Sequence, residues 1–256
     1  MNDKQTTILR LHNLIKSFDG LRAVDSVSLE FARGRITGLI GPNGAGKTTI
    51  FNLINGFLKP DKGEIWLEDK RIDGKHPWDI TRYGIGRLFQ DVRVFRKLTV
   101  LENVLLSRLN HPGELPLNLL FAPLRVKKAE KQNLKDAEYW LKFVGLEGKE
   151  NSPAESLSFG QQKLLATARL LAGGHSILLM DEPTAGVNPA MIRPLLELIK
   201  RIAEAGRTVV FIEHNMNVVL EIADWVYFLD EGRVTSFGRA DDVLGDPEVR
   251  RAYLGV

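Results

Sequence analysis

Residues 41 to 48 read Gly41-Pro42-Asn43-Gly44-Ala45-Gly46-Lys47-Thr48, which fits the pattern G-x-x-x-x-G-K-[ST]. The octet follows a short apolar run, Ile36 to Ile40, that reads as a strand, and it precedes a helical pattern in Ile50, Leu53, Ile54 and Phe57. A glycine loop leading from a strand into a helix is the context this pattern requires. Glycines let the backbone wrap an anion with its N–H groups pointing inward, and the helix adds its positive end. Lys47 neutralises outer phosphate charge and Thr48 offers a hydroxyl to Mg²⁺. At average residue usage, a chain of this length matches the octet by accident roughly once in a hundred tries.

The rest of the chain supplies a frame for such a loop. Val27, Leu29 and Phe31 alternate as in a half-buried strand, and Asp61-Lys62-Gly63 turns the chain into another, Glu64 to Leu67. Up to Gln90 the pattern is mostly sheet. Thr99 and Glu102 have capping-box spacing ahead of a helical run from Val100 to Ser107. Leu134, Ala137, Leu141 and Val144 then recur at helical spacing and stop at Gly145, so residues 100 to 156 read as helical. Within them, residues 109 to 123 hold Pro112, Pro116 and Pro123 among several leucines. That stretch is too irregular for a helix and too apolar for a free linker, and is expected to pack on something. From Gly160 onward helices and strands alternate: helix to Leu171, strand Ile177 to Met180, helix Pro189 to Ala205, strand Thr208 to Ile212, helix to Ala223, strand Trp225 to Leu229. Such alternation means right-handed crossovers and a mostly parallel sheet. The expected fold is α/β: a P-loop core with an N-terminal antiparallel β subdomain and an inserted helical subdomain. Within a single domain over 1–256, residues 1–98 are the β-rich part, 99–160 the helical subdomain, 161–240 the α/β core and 241–256 a C-terminal tail.

Composition removes several chemistries. With 256 residues and no Cys there is no disulfide framework or thiolate nucleophile, and five scattered His make no zinc site. No apolar run approaches the ~18 residues of a membrane span, nor does the N-terminus resemble a secretory signal, so a cytoplasmic protein is expected. Thirty-five basic against 32 acidic residues give a formal charge of +3, too weak a balance to imply nucleic acid. The excess is local: six basic residues face three acidic ones between Arg125 and Lys142. This is a solvated helix face or a surface near anionic lipid or a partner.

Two further segments carry chemistry. Ile177 to Met180 leads into Asp181-Glu182, and parallel strands share their ligand-facing end, so these acids are expected beside the glycine loop. One carboxylate can hold Mg²⁺ through water while its neighbour polarises the water that attacks a γ-phosphate. Leu157-Ser158-Phe159-Gly160-Gln161 opens the next helix with a capping box, S-x-x-Q, and a capped helix start is also an anion site.

Taken together with Gln90 after a strand and His214 after the last core strand, these segments have the order and spacing of ATP-binding cassette ATPases, and the chain resembles that family from Ile8 to about Phe237. The resemblance implies that Phe18 stacks on adenine, that residues Gly41, Asn43, Gly44, Ala45, Gly46, Lys47, Thr48 and Thr49 hold the phosphates of ATP, and that Thr48, Gln90 and Asp181 attend Mg²⁺. Glu182 would be the general base, with Gln90 sensing the attacking water and His214 contacting the γ-phosphate. Ser158, Gly160 and Gln161 would act in trans on nucleotide held by a second cassette, so a homodimer or heterodimer is implied. Two departures stand out. Phe159 replaces the first Gly of the common Leu-Ser-Gly-Gly-Gln, and Asn188 replaces the usual Asp after the acids.

The segment Phe89 to Phe95, the insert after Leu109, Ile212 to Met216 and the tail from Asp246 to Gly255 resemble the ATPase subunits of bacterial branched-chain amino-acid importers. Importers of urea or short amides have similar subunits. The implied partners are two transmembrane permease subunits and, indirectly, a solute-binding protein, with the chain peripheral on the cytoplasmic face of the bacterial inner membrane. A membrane-subunit helix would dock at Gln90 to Leu98 and the adjoining helical subdomain. A cassette ATPase acting on nucleic acid is the alternative, without the long coiled coil, second cassette or basic stripe such proteins carry.

Overall fold

The computed structural model describes residues 6–108 and 123–254. They divide into two compact units, one from the described residues of Met1–Gln90, Ser176–Ala185 and Ile192–Val256, the other from those of Asp91–His175 and Gly186–Met191.

The first unit holds two sheets. In chain order its strands are β1 (Thr7–Phe18), β2 (Leu21–Ala32), β3 (Ile36–Ile40), β4 (Lys62–Leu67), β5 (Lys70–Arg71), β6 (Ile85–Leu88), β7 (Ile177–Asp181), β8 (Thr208–Ile212), β9 (Trp225–Asp230) and β10 (Arg233–Gly238). One sheet is antiparallel, ordered β2-β1-β4-β5; the other is ordered β10-β9-β3-β8-β7-β6 and is parallel except for the β9–β10 pair. Every residue of β3, β7 and β8 is buried, as expected of parallel strands covered on both faces. β2 instead alternates, burying Val27, Leu29 and Phe31 while exposing Ser26, Ser28 and Glu30.

Helix α1 (Lys47–Ile54) packs into one apolar cluster with both sheets: its Ile50, Phe51, Leu53 and Ile54 join Leu9, Leu11 and Phe31 of the antiparallel sheet and Leu39, Leu179 and Ile212 of the parallel one. Each side chain of this size contributes roughly 1.5–3 kcal/mol when fully buried, so the helix that follows the glycine loop is firmly anchored. α2 (Pro77–Arg82) was not visible in the hydrophobic pattern, because it is six residues long and buries only Ile80. β10, on the sheet edge, was missed for the same lack of a buried face.

The second unit holds α3 (Val100–Leu105), α4 (Pro123–Phe143) and α5 (Phe159–Ala172), with a 3₁₀ turn at Ala154–Ser156. α6 (Pro189–Glu204) begins in this unit and runs into the first, where α7 (Met216–Ile222), α8 (Ala240–Gly245) and α9 (Pro247–Leu254) also lie. The expected capping box of α3 is present: the Glu102 amide donates to Thr99 Oγ1 at 3.1 Å and the Thr99 amide to Glu102 Oε2 at 2.8 Å. Arg108 donates to Asp136 (2.8 Å), Asn133 (3.1 Å) and the Ala172 carbonyl (3.1 Å), joining α4 to α5. On α4, Ala137 and Leu141 are buried as their spacing implies, and Val144 just beyond it is too, but Leu134 is 38% exposed. Lys127, Lys128, Lys131 and Lys135 face solvent, which accounts for the local positive excess. The helical part read as 99–160 falls within this unit. The proline-containing stretch lies outside the described residues up to 122, and Pro123 opens α4 rather than an irregular segment.

Candidate nucleotide-binding and hydrolytic site

The glycine loop runs from β3 into α1 as its pattern requires. Two of its glycines have no substitute. Gly41 sits at φ 142°, where an added Cβ would lie 2.0 Å from the Leu229 carbonyl oxygen; Gly46 sits at φ 96°, where a Cβ would lie 2.3 Å from that of Ala23. The second contact places the start of β2 against the loop, and Phe18 lies across the same hairpin, paired with Leu21 and 42% exposed. An exposed aromatic there is open to stack on a flat ligand. Gly46 is also the N-cap of α1 and supplies no side-chain cap, so the first-turn N–H groups are left for another acceptor. Asn43, Gly44 and Thr48 are exposed, whereas Ala45 and Lys47 are buried.

Lys47 is folded back on its own loop, its Nζ donating to the carbonyls of Gly41 and Pro42, both at 2.8 Å. Burial pushes the ammonium pKa below the usual lysine value, opposed by the charges of Glu182 and then Asp181. An anion seated against the loop would replace two neutral carbonyls with a full countercharge.

At the end of β7 the two acids separate. Asp181 is buried and accepts from Arg87 Nη2 at 2.7 Å. Glu182 takes the left-handed conformation at φ 45°, uncommon for a residue with a side chain, and its amide donates to the Ile212 carbonyl at 3.0 Å. That backbone turn holds the Glu182 carboxylate between two partners: Gln90 Nε2 donates to Oε2 at 2.9 Å, and His214 Nε2 lies 3.1 Å from Oε1. Three residues expected from sequence to act together thus meet in one cluster in the first unit. A carboxylate oriented from both sides, 23% exposed, is arranged to accept a proton from a water molecule.

Glu213 was missed by sequence reasoning. It is buried and accepts from the Thr184 amide (3.0 Å) and hydroxyl (2.5 Å), while its other oxygen accepts from the His214 amide at 3.2 Å. It therefore ties the turn after Glu182 to the turn carrying His214. The available signal was an acid directly after an apolar strand, next to a His.

In the second unit the Ser158 capping box is closed, with the Gln161 amide donating to Ser158 Oγ at 3.3 Å and the Ser158 amide to Gln161 Oε1 at 3.2 Å. Ser158 faces solvent, so the start of α5 is open. A Cβ added at Gly160 would meet Val187 at 3.7 Å, an ordinary contact. Phe159 lies over Gly186, where an added Cβ would meet its ring at 3.0 Å, and the Lys163 ammonium sits 5.4 Å from that ring's centroid. Asn188 Oδ1 accepts from the Ala190 amide at 3.0 Å, a helix-start bond an Asp could make equally well.

No cluster of three or more His, Cys, Asp or Glu among the described residues is arranged to hold a metal ion. One buried carboxylate and one exposed hydroxyl, Asp181 and Thr48, suit a hard cation that draws most of its ligands from phosphate and water, as Mg²⁺ does.

A mixed sheet with a glycine loop at the end of β3, an uncapped helix start behind it and a carboxylate braced at the end of the parallel β7 defines a P-loop nucleotide-binding cassette. A family model described as "ABC transporter" matches residues 24–185, and the chain belongs to that family. Among its relatives, "High-affinity branched-chain amino acid transport ATP-binding protein LivG" of Salmonella typhimurium is 38% identical over 252 residues, covering 97% of this chain and 98% of the relative. The corresponding protein BraF of Pseudomonas aeruginosa is 37% identical over 249 residues, covering 97% and 98%. A nucleotide-free ATP-binding cassette from an ABC transporter superposes with a TM-score of 0.83 at 37% identity, covering 98% of this chain and all of the other. A dimeric cassette described as a post-hydrolysis state bound to ADP and Pi gives a TM-score of 0.69 at 28% identity, covering 91% and 98%.

Proposed function

We propose that the chain is the ATP-hydrolysing subunit of an importer for branched-chain or other hydrophobic amino acids, driving two separate permease subunits from the cytoplasmic face of the membrane. The observation that carries the chemistry is Glu182, held at a left-handed turn between Gln90 and His214. The amino-acid substrate rests on the names of the LivG and BraF relatives. Among the described residues no helix is long and apolar enough to cross a membrane.

The triphosphate of ATP lies along the loop from Gly41 to Thr49, taking the N–H groups of the α1 start, with Lys47 swung from the Gly41 and Pro42 carbonyls to its outer charge. Phe18 stacks on the adenine. Thr48, Asp181 and Gln90 would hold Mg²⁺, which would neutralise phosphate charge. Glu182 takes the proton of the attacking water, Gln90 orients that water, and His214 steadies the γ-phosphate. The start of α5 in a second cassette, with its Ser158, Gly160 and Gln161, closes over the same phosphates. The solved cassette described as dimeric and bound to ADP and Pi supports the pairing of two cassettes.

Deleting the gene should abolish uptake of radiolabelled leucine, and a plasmid copy should restore it while the Glu182→Gln copy should not. Undiminished leucine uptake in the deletion strain would overturn the amino-acid reading, and a parallel loss of urea or acetamide uptake instead would reassign the solute. Wild-type rates from the Glu182→Gln copy would overturn the chemistry.

A further inference from the structure

Arg87 lies on β6, three residues before Gln90, among the apolar residues Ile85, Leu88 and Phe89. Its side chain is only 5% exposed. Nη2 donates to Asp181 Oδ2 and Nη1 to Asn52 Oδ1 on α1, both at 2.7 Å. The guanidinium lies 4.8 Å from the centroid of the Phe89 ring and 5.5 Å from that of Phe51, and its Nε is buried with no hydrogen-bond partner. One side chain therefore bridges three parts of the site: the helix behind the glycine loop, the acid at the end of β7 and the strand leading to Gln90.

Stability does not account for this placement. A buried ion pair seldom improves on an apolar pair of the same volume, because desolvating two charges offsets their attraction. Here a donor is also left unsatisfied, which adds a further penalty. Asp181, however, needs a positive neighbour. It is buried, and it shares Lys47 with Glu182. When Lys47 turns to phosphate, Arg87 remains the cation in direct contact with Asp181.

We infer that Arg87 is a positioning residue for the hydrolytic reaction: its guanidinium is the built-in counter-cation of Asp181 and sets how readily that carboxylate takes a divalent cation. The inference rests on the reading of Asp181 as the metal-facing acid. Arg87 bonds one carboxylate oxygen, Oδ2, so the acid has a fixed orientation, and its charge is partly spent before any metal arrives. Asn52 and the two rings fix the guanidinium in turn, so Asp181 is tied to α1 whether or not nucleotide is present. The device would keep the nucleotide-free site from retaining divalent cations and make metal binding follow the phosphates.

The test measures binding of a fluorescent ATP analogue to the full chain as Mg²⁺ is titrated, and again in EDTA. Removing one positive charge in contact with Asp181 should strengthen Mg²⁺ binding, so Arg87→Gln, which keeps a donor but not the charge, should lower half-saturating Mg²⁺ by about fivefold or more. Affinity in EDTA should change by less than about twofold, because the hydrogen bonds of the Arg87 guanidinium go to Asn52 and Asp181 and not to the glycine loop. Arg87→Lys keeps the charge and should restore the wild-type Mg²⁺ dependence, which a merely structural residue would not do. If Arg87→Gln proves too unstable, Arg87→Met, neutral and of similar length, gives the same comparison: its half-saturating Mg²⁺ should fall below that of wild type. Half-saturation unchanged or raised in the neutral variants would overturn the inference. Asp181→Asn separates the two readings: if Mg²⁺ promotes nucleotide binding as well in that variant as in wild type, Asp181 is not the metal-facing acid and the underlying reading fails.

Discussion

Replacing Glu182 by Gln preserves shape and removes only the ability to accept a proton. In the structure Glu182 Oε2 takes a hydrogen bond from Gln90 Nε2 at 2.9 Å and Oε1 lies 3.1 Å from His214 Nε2. A Gln side chain has one oxygen and one NH₂. Its oxygen must face Gln90, whose amide donates, so its NH₂ faces His214, which accepts when the imidazole carries its proton on Nδ1. Both contacts survive, and the backbone at φ 45° is unaffected. The expected effect on stability is therefore small, under about 1 kcal/mol, since neutral bonds replace charge-assisted ones at a site still open to solvent. Turnover is another matter: general-base catalysis contributes typically 10²–10⁴-fold. At about 1.36 kcal/mol per decade this is about 3–5 kcal/mol of barrier, several times any structural effect. Steady-state phosphate release should fall by about 10² or more, nucleotide affinity should stay within about threefold, and melting temperature should hold. ATP should also trap the variant as a dimer, visible by sedimentation. Hydrolysis within about fivefold of wild type would refute the assignment of the base, because no other group of the cluster could replace it at that rate.

Lys47→Ala removes the protein's main countercharge to the outer phosphates, and nucleotide titration should show at least about a tenfold loss of affinity. The substitution also relieves a buried ammonium whose pKa is held down by burial, so the nucleotide-free variant should melt no lower than wild type below the usual lysine pKa. Gly46→Ala meets both a left-handed backbone and a carbonyl oxygen 2.3 Å from the new Cβ, so denaturant titration should show a loss of about 1–3 kcal/mol together with weaker nucleotide binding. Asp25, buried between Arg233 and Arg22, is held below the usual carboxylate range chiefly by its hydrogen bonds to Arg233, with Arg22 assisting against the opposing effect of burial. A depressed carboxylate stabilises the fold above its unfolded value of 3.8 and loses that contribution as pH falls through the folded one. Asp25→Asn should melt lower than wild type at pH 7, and the gap between them should shrink in acid; a gap that stays constant down to pH 2 would contradict the pairing.

What could be read from sequence, and what could not, follows from the range of each interaction. The glycine loop was readable because every requirement of phosphate binding there is local: a strand, glycines with forced backbone, a lysine and a helix start, all within one short stretch. β3, β7 and β8 were readable because burial on both faces leaves unbroken apolar runs. Asp181 and Glu182 were placed correctly at a strand end, yet their different fates were not. One is turned outward by a left-handed residue toward Gln90 and His214, the other inward to Arg87, and neither the φ of Glu182 nor a partner 94 positions away leaves a mark on the local pattern. Arg87 did leave a trace, a lone charge inside an apolar strand, which hydrophobic periodicity treats as noise. Glu213 is the same case. Both are buried charges on or beside otherwise apolar strands, and such charges persist only when something long-range holds them. An isolated charge in a strand that the pattern marks as buried is therefore a pointer to a specific long-range partner, because burial makes it costly unless one is waiting.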